Sequence, residues 1–445
     1  MNDSFDPRSY GAVADGRTKD TAAVQAAIDA AAAQGGTVRL AGGIFVCGTL
    51  YLKSNVALEI TNSATLLASP NIADYGTDTH HNRYRNEPEL DRCFLFAQDA
   101  ENVTICGSGV IDGNAAAFPN AGSIYRPMLL RVLRCRNVRV TGLRLLNAAA
   151  WTTAFLNSDF IWATDLHIEN HRNYNGDGLD LDGCRHVWVR GCYIDGTDDN
   201  LCLQSSGLPV QDVHISDCAF TSVCAGIRIG LKSIGEISGV VISNCTMRNV
   251  WREGIKLECT EGGSITDVLV ENVTMHNVRR PIFAILNNRY RPDDLGSSVE
   301  LDHIPPIGTM SRLRFVGITA VDDEEMAHAQ RRFDNDIMGE PRFGGCRFDA
   351  NAAHPIQDVT IRDFRYTAIG GVRLSDLPAA PYPEVPDHLQ APTAPGSENY
   401  YPNWSRTTHL DARNVRGLTL ENLHFNTLHP DERPKMLTEG PTVML

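Results

Sequence analysis

The sequence predicts an all-β fold, a parallel β-helix (solenoid) with an N-terminal capping helix, and three observations predict it. A short two-strand pattern recurs from Val103 onward, with copies starting at Val103, Val138, Ala163, Val187, Val213, Val240 and Val268 and looser ones at Leu313, Val359 and Leu418. In the tight region the copies lie about 26–28 residues apart, a solenoid period. Within each copy apolar and polar residues alternate and Val and Ile are enriched, which is the period of a strand rather than a helix. A segment of that length holds two or three short strands and tight turns, and its inward side chains stack on the next coil into a continuous core. A leucine-rich repeat would need a Leu/Asn framework and a helical period that are missing, and a two-sheet sandwich would need hairpin turns between these strands.

Taken in order, the first 50 or so residues form the cap. A helix is marked over Thr21–Gln34, with Asp20 as the N-cap candidate and Gly35-Gly36 as the stop. Its small, Ala-rich apolar face suits a lid over the open end of the core, which otherwise exposes apolar side chains and strand edges. The coils follow, interrupted late by insertions at about 288–307, 321–356 and 369–407, the last rich in Pro. Segments this long without a repeat are typically functional loops or disorder, and at least one is expected to wall a binding groove. The 445 residues are thus expected to form a single parallel β-helix domain rather than two or three domains.

Composition sets the function classes. At 42% hydrophobic and 21% charged residues, the chain can bury a sizeable core. A formal charge of −14 argues against nucleic acid, which must be held through many phosphate contacts. No run of about 18 apolar residues exists to span a membrane, and the polar stretch Met1–Ser9 does not resemble a signal peptide, so a cytoplasmic location is expected unless a leader was removed. The twelve cysteines are dispersed, many beside alternating segments, as buried reduced thiols would be, and none forms a zinc-type pattern.

The repeat also locates candidate chemistry. Four coils carry the strands Gly178–Asp182, Asn200–Gln204, Gly226–Gly230 and Gly254–Glu258. If their aliphatic residues point inward, then Asp180, Cys202, Arg228 and Lys256 form a solvent-facing column beside Asp182, Gln204, Gly230 and Glu258. The residues just before each strand form a third column of Asp177, Asp199, Ala225 and Glu253, with Asp198 one residue aside. Coils stack about 4.8 Å apart, so Asp177 and Asp199 are stacked carboxylates, and like charges at that spacing push at least one pKa upward. Paired carboxyl groups can hydrolyse a glycosidic bond, and stacking alone leaves inverting and retaining geometries both open. Clustered carboxylates can equally bind Ca²⁺, with Arg228 or Lys256 as the base of a lyase or epimerase.

Asn175-Gly-Asp177-Gly-Leu-Asp-Leu-Asp followed by Thr197-Asp-Asp-Asn resembles the Asn-x-Asp and Asp-Asp motifs of glycoside hydrolase family 28, the polygalacturonase and rhamnogalacturonase group. The resemblance runs from Tyr10-Gly-Ala-Val-Ala-Asp-Gly through Leu66-Leu-Ala-Ser-Pro and Trp151-Thr to the copy at Val268, and thins after about Tyr290. It implies a right-handed parallel β-helix and an inverting hydrolase with no cofactor and no metal. Asp198 resembles the general acid, and Asp177 and Asp199 the pair that positions and deprotonates the attacking water. Tyr290 falls where the family often has a substrate-contacting tyrosine.

Two departures mark the chain as a divergent member. The family's Gly-His-Gly is Cys224-Ala225-Gly226 here, so the histidine is absent, and its Arg-x-Lys is Lys256-Leu-Glu258. The first change to that pair loses the guanidinium fork and the second reverses sign, so the planar clamp for a uronate is lost. With all three aspartates kept, the expectation is intact acid–base machinery and a specificity diverged from homogalacturonan. Arg228 and Lys256 are candidates to hold an acidic or hydroxyl-rich sugar, with Asn175, Asp180, Glu253 and Glu258 around it. The competing expectation is an ion-pair ladder, Arg228–Glu258 or Lys256–Glu253. Trp151 lies one coil before Asp177, where its indole either stacks on a pyranose or packs against the coil. The basic and aromatic run His80–Arg85 lies on an early loop that would close one end of a groove and make the enzyme exo-acting. The partner expected is an oligosaccharide, with a lyase, an epimerase or a non-catalytic carbohydrate-binding β-helix as alternatives.

Overall fold

The structure is a computed structural model and describes residues 3–79, 92–120, 125–288, 303–328, 341–379, 404–440 and 442–444. The chain divides into two compact units, one of residues 1–200 with 212–214, the other of residues 201–211 with 215–445.

In the first unit each coil contributes three short strands. Cys93–Gln98, Met128–Leu133, Thr153–Leu156 and Leu179–Asp182 stack in parallel register as one sheet. Glu101–Gly107, Arg136–Thr141, Asp159–Thr164 and Arg185–Arg190 form the second. Val110–Asp112, Arg144–Leu146, His167–Glu169 and Tyr193–Gly196 form the third. Val103, Val138, Ile161 and Val187 occupy one inward register position and are all fully or almost fully buried, as period-2 alternation requires.

In the second unit the bends soften and the strands of a coil run together, as in Thr246–Cys259, Ser264–Leu286 and Ile356–Gly370. The same inward alternation persists there, with Val240, Val268, Leu313, Val359 and Leu418 in register and buried.

The polar residue that punctuates each copy has a backbone reason. Gly142, Asp165 and Gly191 in the first unit, and Asp217, Asn244, Asn272, Gly317, Asp363 and Asn422 in the second, all adopt positive φ. That left-handed conformation suits Gly, Asn and Asp, and it turns the chain between two strands. A second bend carries stacked amides: Asn137 donates to Asn102 at 2.6 Å, and Asn102 to Asn55 at 2.8 Å. Two coils break the pattern, since Phe160 (φ +58°) and His186 (φ +55°) follow Asn137 at that bend. Their rings stack at 4.5 Å, and beside them half-buried Trp162 and Trp188 form a ladder with exposed Arg139 and His214 at its ends.

The helix forms over Thr21–Gln34 and stops at Gly35, with Ala23, Val24, Ala27, Ile28 and Ala31 buried. Asp20 takes the N-cap position, its carbonyl accepting the Val24 amide at 2.9 Å, but its side chain does not cap the helix. Its carboxylate instead accepts the amides of Val13 (2.7 Å) and Ala14 (3.0 Å), because the chain folds back over it before the helix. The first 50 residues are also more than a cap. Asp3–Phe5 pairs with Gly36–Leu40, which pairs with Val56–Ile60, so coil stacking begins well before Val103. The stretch 321–356 is not all insertion either: Cys346–Ala350 is a strand in register with Phe283–Leu286 and with Leu410–Arg413. Its alternation is hidden by Arg347 and Asp349, which are buried.

All twelve cysteines are free thiols, and eleven are buried. Burial pushes the thiols of Cys93, Cys259 and Cys346 up to about 12, so they are protonated packing groups at neutral pH. Among the described residues no helix is long and apolar enough to cross a membrane.

Candidate active site

The site's acidic turns lie in the first unit, at the bend that leads into the strand Leu179–Asp182. Asp177 and Asp199 come to adjacent coils there: the Gly178 amide donates to the Asp199 carbonyl at 3.2 Å, and the Leu179 amide to the Asn200 carbonyl at 2.9 Å. The preceding coil receives Asp177 in the same way, the Thr152 amide donating to its carbonyl at 2.9 Å. Asp177 and Asp199 are buried (3% and 1% exposed), while Asp198 is half-buried and accepts the Asp199 amide on Oδ1 at 3.0 Å. Two buried carboxyl groups thus accompany a third that reaches solvent.

The Asp177 turn is fixed residue by residue. Asn170 accepts the Ala148 amide (2.8 Å) and donates to the Thr152 hydroxyl. Asn173 donates to the carbonyls of Ala115 and Ala149, each at 3.2 Å. Asn175 takes φ +57°, a conformation Asn tolerates, and its Oδ1 accepts from Arg126 at 2.8 Å. Arg126, only 2% exposed, also donates to the Tyr174 carbonyl at 2.5 Å. At Gly176 a Cβ would collide with the Thr197 hydroxyl, so this turn needs glycine for close approach. Asp180 lies on the strand that follows and is buried.

In the second unit the sugar-recognition candidates gather around Lys256. Its Nζ stands 3.4 Å from Glu258 and 3.7 Å from Glu253, and Glu253 also faces Arg280 (3.4 Å) and Arg252 (3.6 Å). Arg228, Lys256 and Phe283 are in register on successive strands.

Several sequence expectations change here. The column expected to face solvent is buried: Asp180 is 2%, Cys202 0%, Arg228 5% and Lys256 1% exposed, and its neighbours Gln204 and Glu258 are buried as well. Side chains on coils about 4.8 Å apart shield one another, so pointing away from the core does not mean meeting water. The ion pairs at Lys256 therefore exist, but in the interior rather than as a surface ladder. Trp151 is buried in an apolar cluster with Cys93, Phe96, Met128, Leu133 and Leu156, so its indole packs against the coil. Tyr290 and His80–Arg85 lie outside the described residues.

Sequence inspection missed Arg126, Asn170, Asn173, Arg252 and Arg280, which have no motif spacing. Thr197 was visible beside Asp198, and only the contact with Gly176 reveals its place.

The family model for glycosyl hydrolases family 28 matches residues 48–300, more than half of the chain. The chain belongs to this family. A probable polygalacturonase of Vitis vinifera is 26% identical over 262 residues, 52% of this chain and 52% of its own length. An exo-poly-alpha-D-galacturonosidase of Dickeya chrysanthemi is 26% identical over 243 residues, 43% of this chain and 40% of its own. The chain thus spans about half the length of the curated relatives it matches. In structure, the family 28 chain is similar to an exopolygalacturonase of Thermotoga maritima, with a TM-score of 0.69 and 19% identity over 96% of this chain and 92% of that one. That likeness is one of fold, and it bears out the right-handed parallel β-helix expected from the sequence.

Proposed function

We propose that this family 28 member is an inverting, exo-acting glycoside hydrolase that cleaves a pectin-type oligosaccharide with three aspartates. The observation that carries the proposal is the stacking of the Asp177 and Asp199 turns through the Gly178-to-Asp199 backbone bond, with half-buried Asp198 beside them. The relatives' names supply the substrate class, since one is described as an exo-galacturonosidase and another as a probable polygalacturonase.

In this mechanism Asp198, the one of the three that reaches solvent, gives its proton to the leaving glycosidic oxygen. Asp177 and Asp199 hold a water on the opposite face of the sugar and take its proton as it attacks the anomeric carbon, which inverts. The turns position these groups before substrate arrives, so little reorganisation accompanies the oxocarbenium-like transition state.

The positions that match the family's uronate-holding pair are altered at Lys256 and Glu258. In place of a guanidinium fork stands an ammonium shared by two carboxylates, Glu253 and Glu258. The loss of the fork at Lys256 and the reversed charge at Glu258 support a specificity shifted away from unmodified homogalacturonan.

Defined oligosaccharides, uronate and neutral, should be incubated with the enzyme and the product anomer followed by NMR. The expected result is release of terminal sugars with inverted configuration and no turnover by Asp198→Asn. Wild-type rates in that variant would sink the assignment, and an unsaturated, ultraviolet-absorbing product lost on adding chelator would mean a calcium-dependent lyase.

A further inference from the structure

We propose that Thr197 is a positioning residue that sets the spacing between the Asp177 turn and the Asp198-Asp199 turn. The inference rests on the hydrolase assignment above and adds a group that assignment does not use.

Thr197 is the residue immediately before Asp198, and Gly176 the residue immediately before Asp177. The Thr197 hydroxyl donates to the Asn173 carbonyl at 2.6 Å and accepts the Gly176 amide at 3.1 Å. One side-chain oxygen therefore closes both ends of the Asn173–Gly176 loop, from the neighbouring coil, at 6% exposure. The loop's far side is bolted down by Asn173 and Arg126 onto backbone carbonyls of residues 115, 149 and 174. Between these two fixings the loop cannot slide along the coil without breaking a buried hydrogen bond.

Ladder hydrogen bonds alone fix the coils about 4.8 Å apart but do not fix how far a bend projects sideways. The lateral offset decides where the Asp177 carboxyl sits relative to Asp198, and inversion needs the acid and the water-binding pair at a definite separation. Glycine at 176 permits the contact, because a side chain there would push the loop away from Thr197. A displacement of about 1 Å in reacting groups costs about 10²-fold in rate.

Two variants separate the hydroxyl from its shape. Thr197→Val keeps the branched volume and can neither donate nor accept, whereas Thr197→Ser does both. The expected result is a fall in kcat of about tenfold to 10²-fold for Thr197→Val with KM within about threefold, and kcat within about threefold of wild type for Thr197→Ser. The limbs of the pH–rate profile should also move in Thr197→Val, since the carboxylates' mutual distance sets their ionisation. A purely structural threonine would lower the melting temperature and leave kcat per folded molecule and the pH profile unchanged, which would overturn the inference. Should Thr197→Val fail to fold, Thr197→Ala removes the same hydroxyl without any branched carbon to accommodate, and the same expectations apply. Wild-type turnover together with unaltered kcat in the hydroxyl-free variant refutes the positioning role alone. Absence of wild-type turnover on every oligosaccharide refutes the hydrolase assignment, and the positioning role with it.

Discussion

Two groups of charges in the second unit, buried but for the half-buried Arg406, differ in the distances at which they pair. Arg413 grips Asp349 with both arms of its guanidinium, at 2.7 and 2.9 Å, and Arg406 grips Asp411 at 2.9 and 2.7 Å. Around Lys256 the burial is as deep as at Arg413 and Asp349, and the ion pairs stand at 3.4–3.7 Å. Charged hydrogen bonds normally close to about 2.7–2.9 Å, so the first group has the geometry of a finished structural lock. The second is a shared arrangement at longer ion-pair distances, in which Glu253 faces Lys256, Arg252 and Arg280 together and Lys256 also faces Glu258. Depth of burial therefore does not tell a binding subsite from a strut, and a substitution in each group does.

That contrast breaks first at Asp349. Burial raises the pKa of its carboxyl above the usual range even with Arg413 beside it, so the attraction falls short of the carboxylate's desolvation. Asp349→Asn, which leaves the Arg413 charge buried, should cost about 3–5 kcal/mol in urea unfolding with no change in turnover by the folded fraction. A cost within about 1 kcal/mol would reduce the fork to the rank of a surface pair.

Lys256→Met tests the other side. The expected result is a drop in kcat/KM of about 10–100-fold, with a smaller stability loss than at Asp349 because Arg280 and Arg252 still face Glu253. If stability falls and kcat/KM holds, the loose group is a strut after all.

Two titrating groups sharpen the comparison where no fork closes. Asp322 is held by neutral donors, the Ile369 amide at 3.0 Å and the Tyr366 hydroxyl, and burial pushes its pKa from 3.8 up to about 7. A raised carboxyl means the native state binds the proton more tightly than the unfolded chain. Its contribution is therefore full below about pH 4 and is lost as pH rises to about 7, at up to about 1.4 kcal/mol per unit. Asp322→Asn should flatten that slope in denaturant midpoints collected from pH 4 to 8. An unchanged slope would place the titration elsewhere.

His409 has the opposite sign. Burial lowers its pKa from 6.5 to about 4, with the ring nitrogen Nε2 on the Asn426 carbonyl at 2.7 Å. Its contribution is full above about pH 6.5 and is lost as pH falls through about 4. His409→Phe, which keeps a ring to stack on Phe425, should remove that acid-side loss, an effect partly masked in the wild type by Asp322. Persistence of the acid-side loss in the variant would exclude His409 as its source.

Coils announce themselves in sequence because each one repeats the same two demands, an aliphatic residue facing inward and a residue that tolerates positive φ at the bend. Val138, Val187 and Val240 satisfy the first, and Gly142, Gly191 and Asn244 the second, so the period was legible. Cys346–Ala350 escaped notice because Arg347 and Asp349 put charge where the alternation rule expects water, whereas here it is buried. Asp177 and Asp199 could be placed on adjacent coils from column register alone, with Asp198 one residue aside. Arg126 and Thr197 could not, because they act through carbonyls and amides of other turns, and backbone partners leave no trace in side-chain identity. Exposure was the other failure: register gives direction, but only neighbouring coils decide whether water reaches a side chain.

The Trp162 and Trp188 indoles lie 5.1 Å apart and within 9° of parallel, on successive coils of the first unit. Two chromophores so close share their excited states, which gives the molecule a built-in optical gauge. Their coupled circular-dichroism signal exists only while those two coils are in register, so its disappearance would time the melting of that part of the solenoid without any label.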